Sequence, residues 1–258
     1  NSDIGNVFNR MASFDSTLHY YNIALKIRQS LNDQIKCAGI YSNIATVYTR
    51  QSKFKEALDI NFKSLKIYEQ IGDSANQANI LGNIGLLYYS LEQNKQANDF
   101  FRKGLRLAHS SGKPLIEANI LIELGGIKFE QGVKNDIMVN RMELDSALLY
   151  FNKANEILKV YNAIYNLAVV NNNIGRIYLQ LNDYEKATQY YNQGLLYRQQ
   201  MNDSYGMGLS YLNLGKVSKI KKQYETCIDF YNKSSAIFIE VNSYIYLKQA
   251  YGEISAVY

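Results

Sequence analysis

The 258-residue sequence has no tryptophan and only one proline, Pro114. With sixteen glycines spread along the chain, that excludes collagen-like, Pro-rich and linker-like polypeptides. Cys37 and Cys227 are far apart and neither belongs to a Cys-x-x-Cys pair, so neither a disulfide framework nor a zinc site is expected. Two reduced thiols favour the cytosol, whereas a signal peptide on a longer chain would place the same segment in a periplasm. No apolar run approaches the ~18 to 20 residues that span a bilayer, so no membrane contact by this segment is expected. The opening residues Asn1–Gly5 show neither a basic nor an apolar leader region. With no initiator methionine and an apparent start inside a repeat, the segment is expected to belong to a longer polypeptide. The net charge of +5 is modest, and nucleic-acid binders concentrate basic charge much more strongly. His19 and His109 stand alone, and no dinucleotide, phosphate-loop, zinc-protease or serine-hydrolase motif is present. With no nucleophile or acid–base pair either, the expectation is a chain without catalysis, metal or cofactor.

What is present is a repeat. Hydrophobic residues make up 47% and charged residues 20%, enough to bury a core. A short phrase recurs as Asn43–Tyr48, Asn83–Tyr88 and Asn173–Tyr178, with weaker copies elsewhere. Its small third residue falls at Gly5, Ala45, Gly85, Gly125, Gly175, Gly215 and Ser255, in steps of forty with one step of fifty. Twelve residues later comes a second small anchor: Ala57, Ala97, Ala187 and Cys227, with Thr17 in the first copy. In the fourth copy this anchor is Ala147, displaced by ten, so ten extra residues lie between 126 and 146. Four residues beyond the anchor stands an aromatic: Tyr21, Phe101, Phe151, Tyr191 and Tyr231, with Asn61 as the exception. Apolar spacings of three and four residues mean helix. Each copy reads as two helices, in the second copy helix A over about 35–50 and helix B over about 54–70. Turn residues separate the copies at Asn32-Asp33, Gly72-Asp73, Gly112-Lys113-Pro114, Asn202-Asp203 and Asn242-Ser243. Glycine inside a helix costs about 1 kcal/mol relative to alanine. The compensation is expected from helix A packing backbone-close on the alanines of helix B, with Tyr48, Tyr88 and Tyr178 filling the wider space beside that contact.

The small residue, the twelve-residue step to alanine, the aromatic four later and the small residue three after that resemble the tetratricopeptide repeat. The clearest copy is Asn173–Tyr178 followed by Asp183–Ala187 and Tyr191. The usual unit is about 34 residues, so this is a longer, forty-residue variety. HEAT and armadillo arrays share such a step but differ in internal spacing. The pattern departs from the family at Asn171, where a large apolar residue is common, and at Lys128 and Ser218, where an aromatic is; loose packing is expected there. The resemblance implies an all-α, right-handed superhelical solenoid of about six helix pairs plus a terminal helix. The repeats would run 1–33, 34–73, 74–113, 114–162 with an insertion near 131–145, 163–203, 204–243 and a partial 244–258.

In that family one stripe of helix A lines a concave groove. Helical-wheel arithmetic places Asn43, Thr46, Arg50, Asn79, Asn83, Tyr89, Asn119, Glu123, Glu130, Asn172, Asn173, Arg176, Asn213, Lys216 and Lys219 on it, with Tyr89, Asn172 and Lys219 one position out of register. A carboxamide offers two donors and an acceptor. A ladder of them at 43, 83, 173 and 213 can hold the backbone of an extended peptide; the alternative is that these asparagines serve helix packing. Arg176, Lys216 and Lys219 suit a carboxylate, either an acidic side chain or a chain terminus, or else are ordinary solvated charges. The likeness to the family's chaperone-binding carboxylate clamp is partial, since the charges sit elsewhere in the repeat. In the insertion, Ile137, Met138, Val139 and Met142 are too apolar for a solvated tip and are expected to fold back on the array. The forty-residue, Asn-rich repeats also resemble bacterial arrays that precede sensor kinases or DNA-binding output domains. The function implied is non-catalytic protein or peptide binding, as the sensing part of a larger signalling protein. The alternatives are a small-molecule site, or nucleic-acid binding through the basic C-terminal half.

Overall fold

The computed structural model describes residues 13–133 and 139–256. Among these are twelve α-helices and no strand. Chain packing separates two compact units, residues 1–120 and 121–258. The first unit holds α1 (Phe14–Ser30), α2 (Gln34–Arg50), α3 (Phe54–Gln70), α4 (Ser74–Ser90), α5 (Asn94–Ser110) and the start of α6 (Pro114–Val133). The second holds the rest of α6, then α7 (Arg141–Val160), α8 (Ile164–Gln180), α9 (Tyr184–Gln200), α10 (Ser204–Ile220), α11 (Tyr224–Glu240) and α12 (Tyr244–Ser255). Even-numbered helices are the A type of the repeat and odd-numbered helices the B type.

Turn chemistry sets the helix boundaries. Nearly every connection places one residue in the left-handed region: Asn at 32, 162, 182, 202 and 242, Gly at 72 and 112, and Ser52, Glu92 and Lys222 in three others. Asparagine and glycine tolerate that conformation best. Aspartate follows in several turns and caps the next helix. Asp33, Asp73, Asp183 and Asp203 accept the backbone N–H three residues on, at 3.1, 3.0, 3.1 and 2.9 Å. Pro114 opens α6, where its missing N–H costs nothing.

The glycines of helix A admit rings, which corrects the expectation that they face the alanines. A methyl group on Gly85 would lie 3.0 Å from the Phe101 ring, one on Gly125 2.8 Å from Phe151, and one on Gly175 2.8 Å from Tyr191; Gly215 meets Tyr231 in the same way. These rings are at most 1% exposed. Burial raises the Tyr191 and Tyr231 phenols well above the ordinary tyrosine range. The outer aromatics pair with each other: Tyr88 stacks on Phe100 at 5.2 Å and Tyr178 on Tyr190 at 5.5 Å.

The three departures from the repeat pattern are accommodated rather than loosely packed. Asn171 is buried, and its Nδ2 donates to the Leu167 carbonyl at 2.7 Å and to Asn155 Oδ1 at 3.4 Å. Ser218 is buried as well, and Lys128 forms an ion pair with Glu143 at 2.8 Å. The additional residues of the fourth repeat go in part into its helices. α6 and α7 have 20 residues each, against 17 in α2 and α3. Gly132 packs on the buried Leu144, and its carbonyl accepts from the Asn140 N–H at 2.9 Å. Val139 and Met142 are 44% and 71% exposed, so these two do not fold back; Ile137 and Met138 lie outside the described residues. Cys37 and Cys227 are free, buried thiols. Among the described residues no helix is long and apolar enough to cross a membrane.

Candidate peptide-binding faces

The A-helix face of the first unit carries seven of the anticipated residues. Asn43 on α2 is half-buried; Thr46 and Arg50 on the same helix, Asn79 and Asn83 on α4 and Asn119 on α6 are exposed; Tyr89 is half-buried. Helical spacing of three and four residues puts Asn43, Thr46 and Arg50 on one side of α2. The Arg50 guanidinium lies 5.2 Å from the centre of the Phe14 ring, which fixes its direction. The Thr46 hydroxyl donates to the Ser42 carbonyl at 3.1 Å and keeps its lone pairs outward. Thr46, Arg50 and Asn83 share a cleft of about 190 Å³ with Asn61 of α3 and Leu86 and Leu87 of α4. Asn61 was outside the face drawn by helical register. Its one signal in the sequence is the break in the aromatic column.

In the second unit, Asn172, Asn173 and Arg176 on α8 and Asn213, Lys216 and Lys219 on α10 occupy the corresponding face. None of the asparagines is sealed in the core: Asn172, Asn173 and Asn213 are half-buried. Asn213 Nδ2 donates to Asn172 Oδ1 at 2.9 Å, joining α8 to α10. α8 and α10 alternate with α9 and so run parallel to each other. Arg176, four residues after Asn172, and Lys216, three after Asn213, therefore stand about one turn further along, on the same side. Arg176 is exposed, and its guanidinium lies 4.4 Å from the centre of the Phe129 ring, which aims it without neutralising it. Lys216 is half-buried and has no ion-pair partner among the described residues.

Lys219 requires a correction. Its ammonium pairs with Glu253 of α12 at 2.9 Å, and Lys221 pairs with Glu185 at 3.0 Å. The cationic part of this face is thus Arg176 with Lys216. Glu123 and Glu130 on α6 are exposed. Desolvation nevertheless raises the Glu123 carboxyl above the ordinary range, because the surrounding protein limits its hydration. Among the described residues no group of three His, Cys, Asp or Glu side chains could hold a metal ion.

Family models described as tetratricopeptide repeat match residues 36–110 and 168–200. No curated protein sequence matches the chain. Solved structures match it closely in fold. BtubC from P. vanneervenii is 18% identical with a TM-score of 0.74, covering 89% of this chain and 92% of that one. A signal transduction ATPase with numerous domains from Pyrococcus horikoshii, which carries a tetratricopeptide repeat sensor, is 18% identical with a TM-score of 0.74; the match covers all of this chain and 38% of that one. The Rap conjugation gene regulator of plasmid pLS20, solved with a Phr peptide, is 15% identical with a TM-score of 0.63, covering 98% and 72%. Such likeness fixes the architecture as an all-α helical repeat of the solenoid class.

Proposed function

We propose, from the premise that this chain is a tetratricopeptide-repeat protein, that its second unit binds an extended peptide carrying a carboxylate, as the non-catalytic sensing module of a larger signalling protein. The observation that carries this reading is the Asn172–Asn213 pair at 2.9 Å, with Arg176 and Lys216 one turn beyond it. The pair leaves one carboxamide with its N–H₂ uncommitted and the other with its oxygen uncommitted, which suits the alternating donors and acceptors of an extended backbone. The cations then fit an acidic side chain or a chain terminus. The peptide-bound regulator that shares this fold is consistent with the reading. Pairing of Lys219 and Lys221 with carboxylates disfavours the nucleic-acid alternative, which needs free cations along a backbone.

The test is a binding titration with a panel of extended peptides, acidic and neutral, against the natural chain and the Arg176→Glu, Lys216→Glu variant. Acidic peptides are expected to bind the natural chain and to lose about tenfold or more in affinity on charge reversal, since charge-assisted contacts contribute roughly 1.5–3 kcal/mol. Both substitutions sit on accessible side chains, so the melting temperature should stay within a few degrees. Equal affinity of the two proteins for the acidic peptides would refute the reading.

A further inference from the structure

The second repeat departs from its neighbours at two positions at once. In four repeats a buried ring of helix B faces a glycine of helix A: Gly85 with Phe101, Gly125 with Phe151, Gly175 with Tyr191, Gly215 with Tyr231. The second repeat has Ala45 and Asn61 at those places instead. The two changes belong together, since a methyl group at the glycine position lies within 3.0 Å of the ring in the repeats that keep one. Loss of the ring removes the reason for glycine. It also leaves space: the cleft of about 190 Å³ that Asn61 lines with Leu86 and Leu87. A cavity of about 150 Å³ suffices for benzene.

The buried polar atom of the cleft is an unanswered acceptor, while Arg50, Asn83 and Ser90, which bring donors to it, are exposed. Asn61 is 2% exposed, and its Oδ1 is buried without a hydrogen-bond partner among the described residues. Thr46 and Thr49 spend their hydroxyl hydrogens on the Ser42 and Ala45 carbonyls, at 3.1 and 2.9 Å, so they present acceptors. The terminal torsion of an asparagine is soft, so the Asn61 carboxamide, which lines the cleft, can turn to present its oxygen there. A ring-sized space walled by Leu86 and Leu87, with one unanswered buried acceptor, calls for a flat group with a donor at its tip.

We infer that this cleft in the first unit binds a p-hydroxyphenyl group, inserted ring-first from the A-helix face so that its hydroxyl donates to Asn61. The site is separate from the carboxylate-binding face proposed for the second unit and stands or falls without it. The same group could come from a tyrosine of a bound peptide or from a free phenol.

The test is protein-observed NMR with p-cresol, toluene, propionamide and N-acetyltyrosine N-methylamide. p-Cresol is expected to shift the Asn61 and Asn83 carboxamide signals saturably and to bind about fivefold more tightly than toluene, the difference of one hydrogen bond. Asn61→Leu should bring p-cresol down to the level of toluene. The Ala45→Gly, Asn61→Tyr double variant, which copies the pairing of the other repeats, should stay folded and lose the site. Binding of the tyrosine amide alongside p-cresol supports a peptide source, and binding of p-cresol alone supports a free phenol. Toluene binding as tightly as p-cresol, propionamide binding more tightly, or an unaltered site in the double variant would each overturn the inference.

Discussion

The second and fifth repeats solve one packing problem in opposite ways. In the fifth, Gly175 gives up a side chain so that the Tyr191 ring can lie against the backbone of α8, and the ring is 1% exposed. In the second, Ala45 keeps its methyl group, Asn61 replaces the ring, and a cleft opens beside them. The glycine of this repeat is therefore a consequence of the ring. Helix propensity alone would favour alanine at every copy. A column of residues that looks like a single motif is better understood as a pair of columns that change together.

That comparison can be broken most forcefully at Tyr191. Tyr191→Asn, which imports half of the second-repeat solution, should cost about 3–5 kcal/mol by removing a fully buried ring, read as a drop in the denaturation midpoint. Adding Gly175→Ala to that variant should recover roughly 1 kcal/mol, because the methyl group then meets empty space and the helix gains propensity. The same Gly175→Ala change in the natural chain should instead cost about 1–3 kcal/mol through overpacking. A double variant no more stable than Tyr191→Asn alone would show that the two columns are independent.

A smaller effect sharpens a second contrast, between capped and uncapped turns. Asp73 caps α4, whereas Lys53 and Gln93, the N-cap residues of α3 and α5, make no side-chain cap. Asp73→Ala should cost about 1 kcal/mol. The backbone N–H of Asn76 holds the Asp73 carboxyl below the ordinary aspartate range. The stabilisation is therefore complete above the unfolded value of about 3.9 and lost as pH falls through the lower folded value. Stability of the natural chain and of Asp73→Ala, compared by chemical denaturation from pH 6 downward, should converge in acid. The smallest effect is expected at Lys128, where the partly exposed Glu143 pair stands in for the stacked aromatics of other repeats; Lys128→Met should change stability by about 0–1 kcal/mol.

The helices were legible because turn chemistry and the glycine–ring spacing recur at fixed intervals, and each is a local requirement of the backbone. The partner of each glycine was not: Ala97 and Phe101 lie four residues apart on one helix, and periodicity alone does not say which of them faces Gly85. Lys219 carries no sign of its ion pair in the sequence because its partner, Glu253, is 34 residues away on a different helix, and the period alone does not say which side chains of successive helices meet. The fourth repeat misled in a related way. Its apolar residues Val139 and Met142 suggested packing, while the contact that closes the two lengthened helices uses Gly132 and Leu144. Pairwise contacts between distant residues leave no period for a sequence to display.

The carboxamide pair itself offers the most direct test of the proposed function. With the side-chain amides of Asn172 and Asn213 assigned by NMR, an acidic extended peptide should move both signals along a saturable curve, together with the backbone signals around Arg176 and Lys216, and added salt should weaken the curve. A peptide that binds while those signals stay in place and the B helices respond would contradict the assignment of this face.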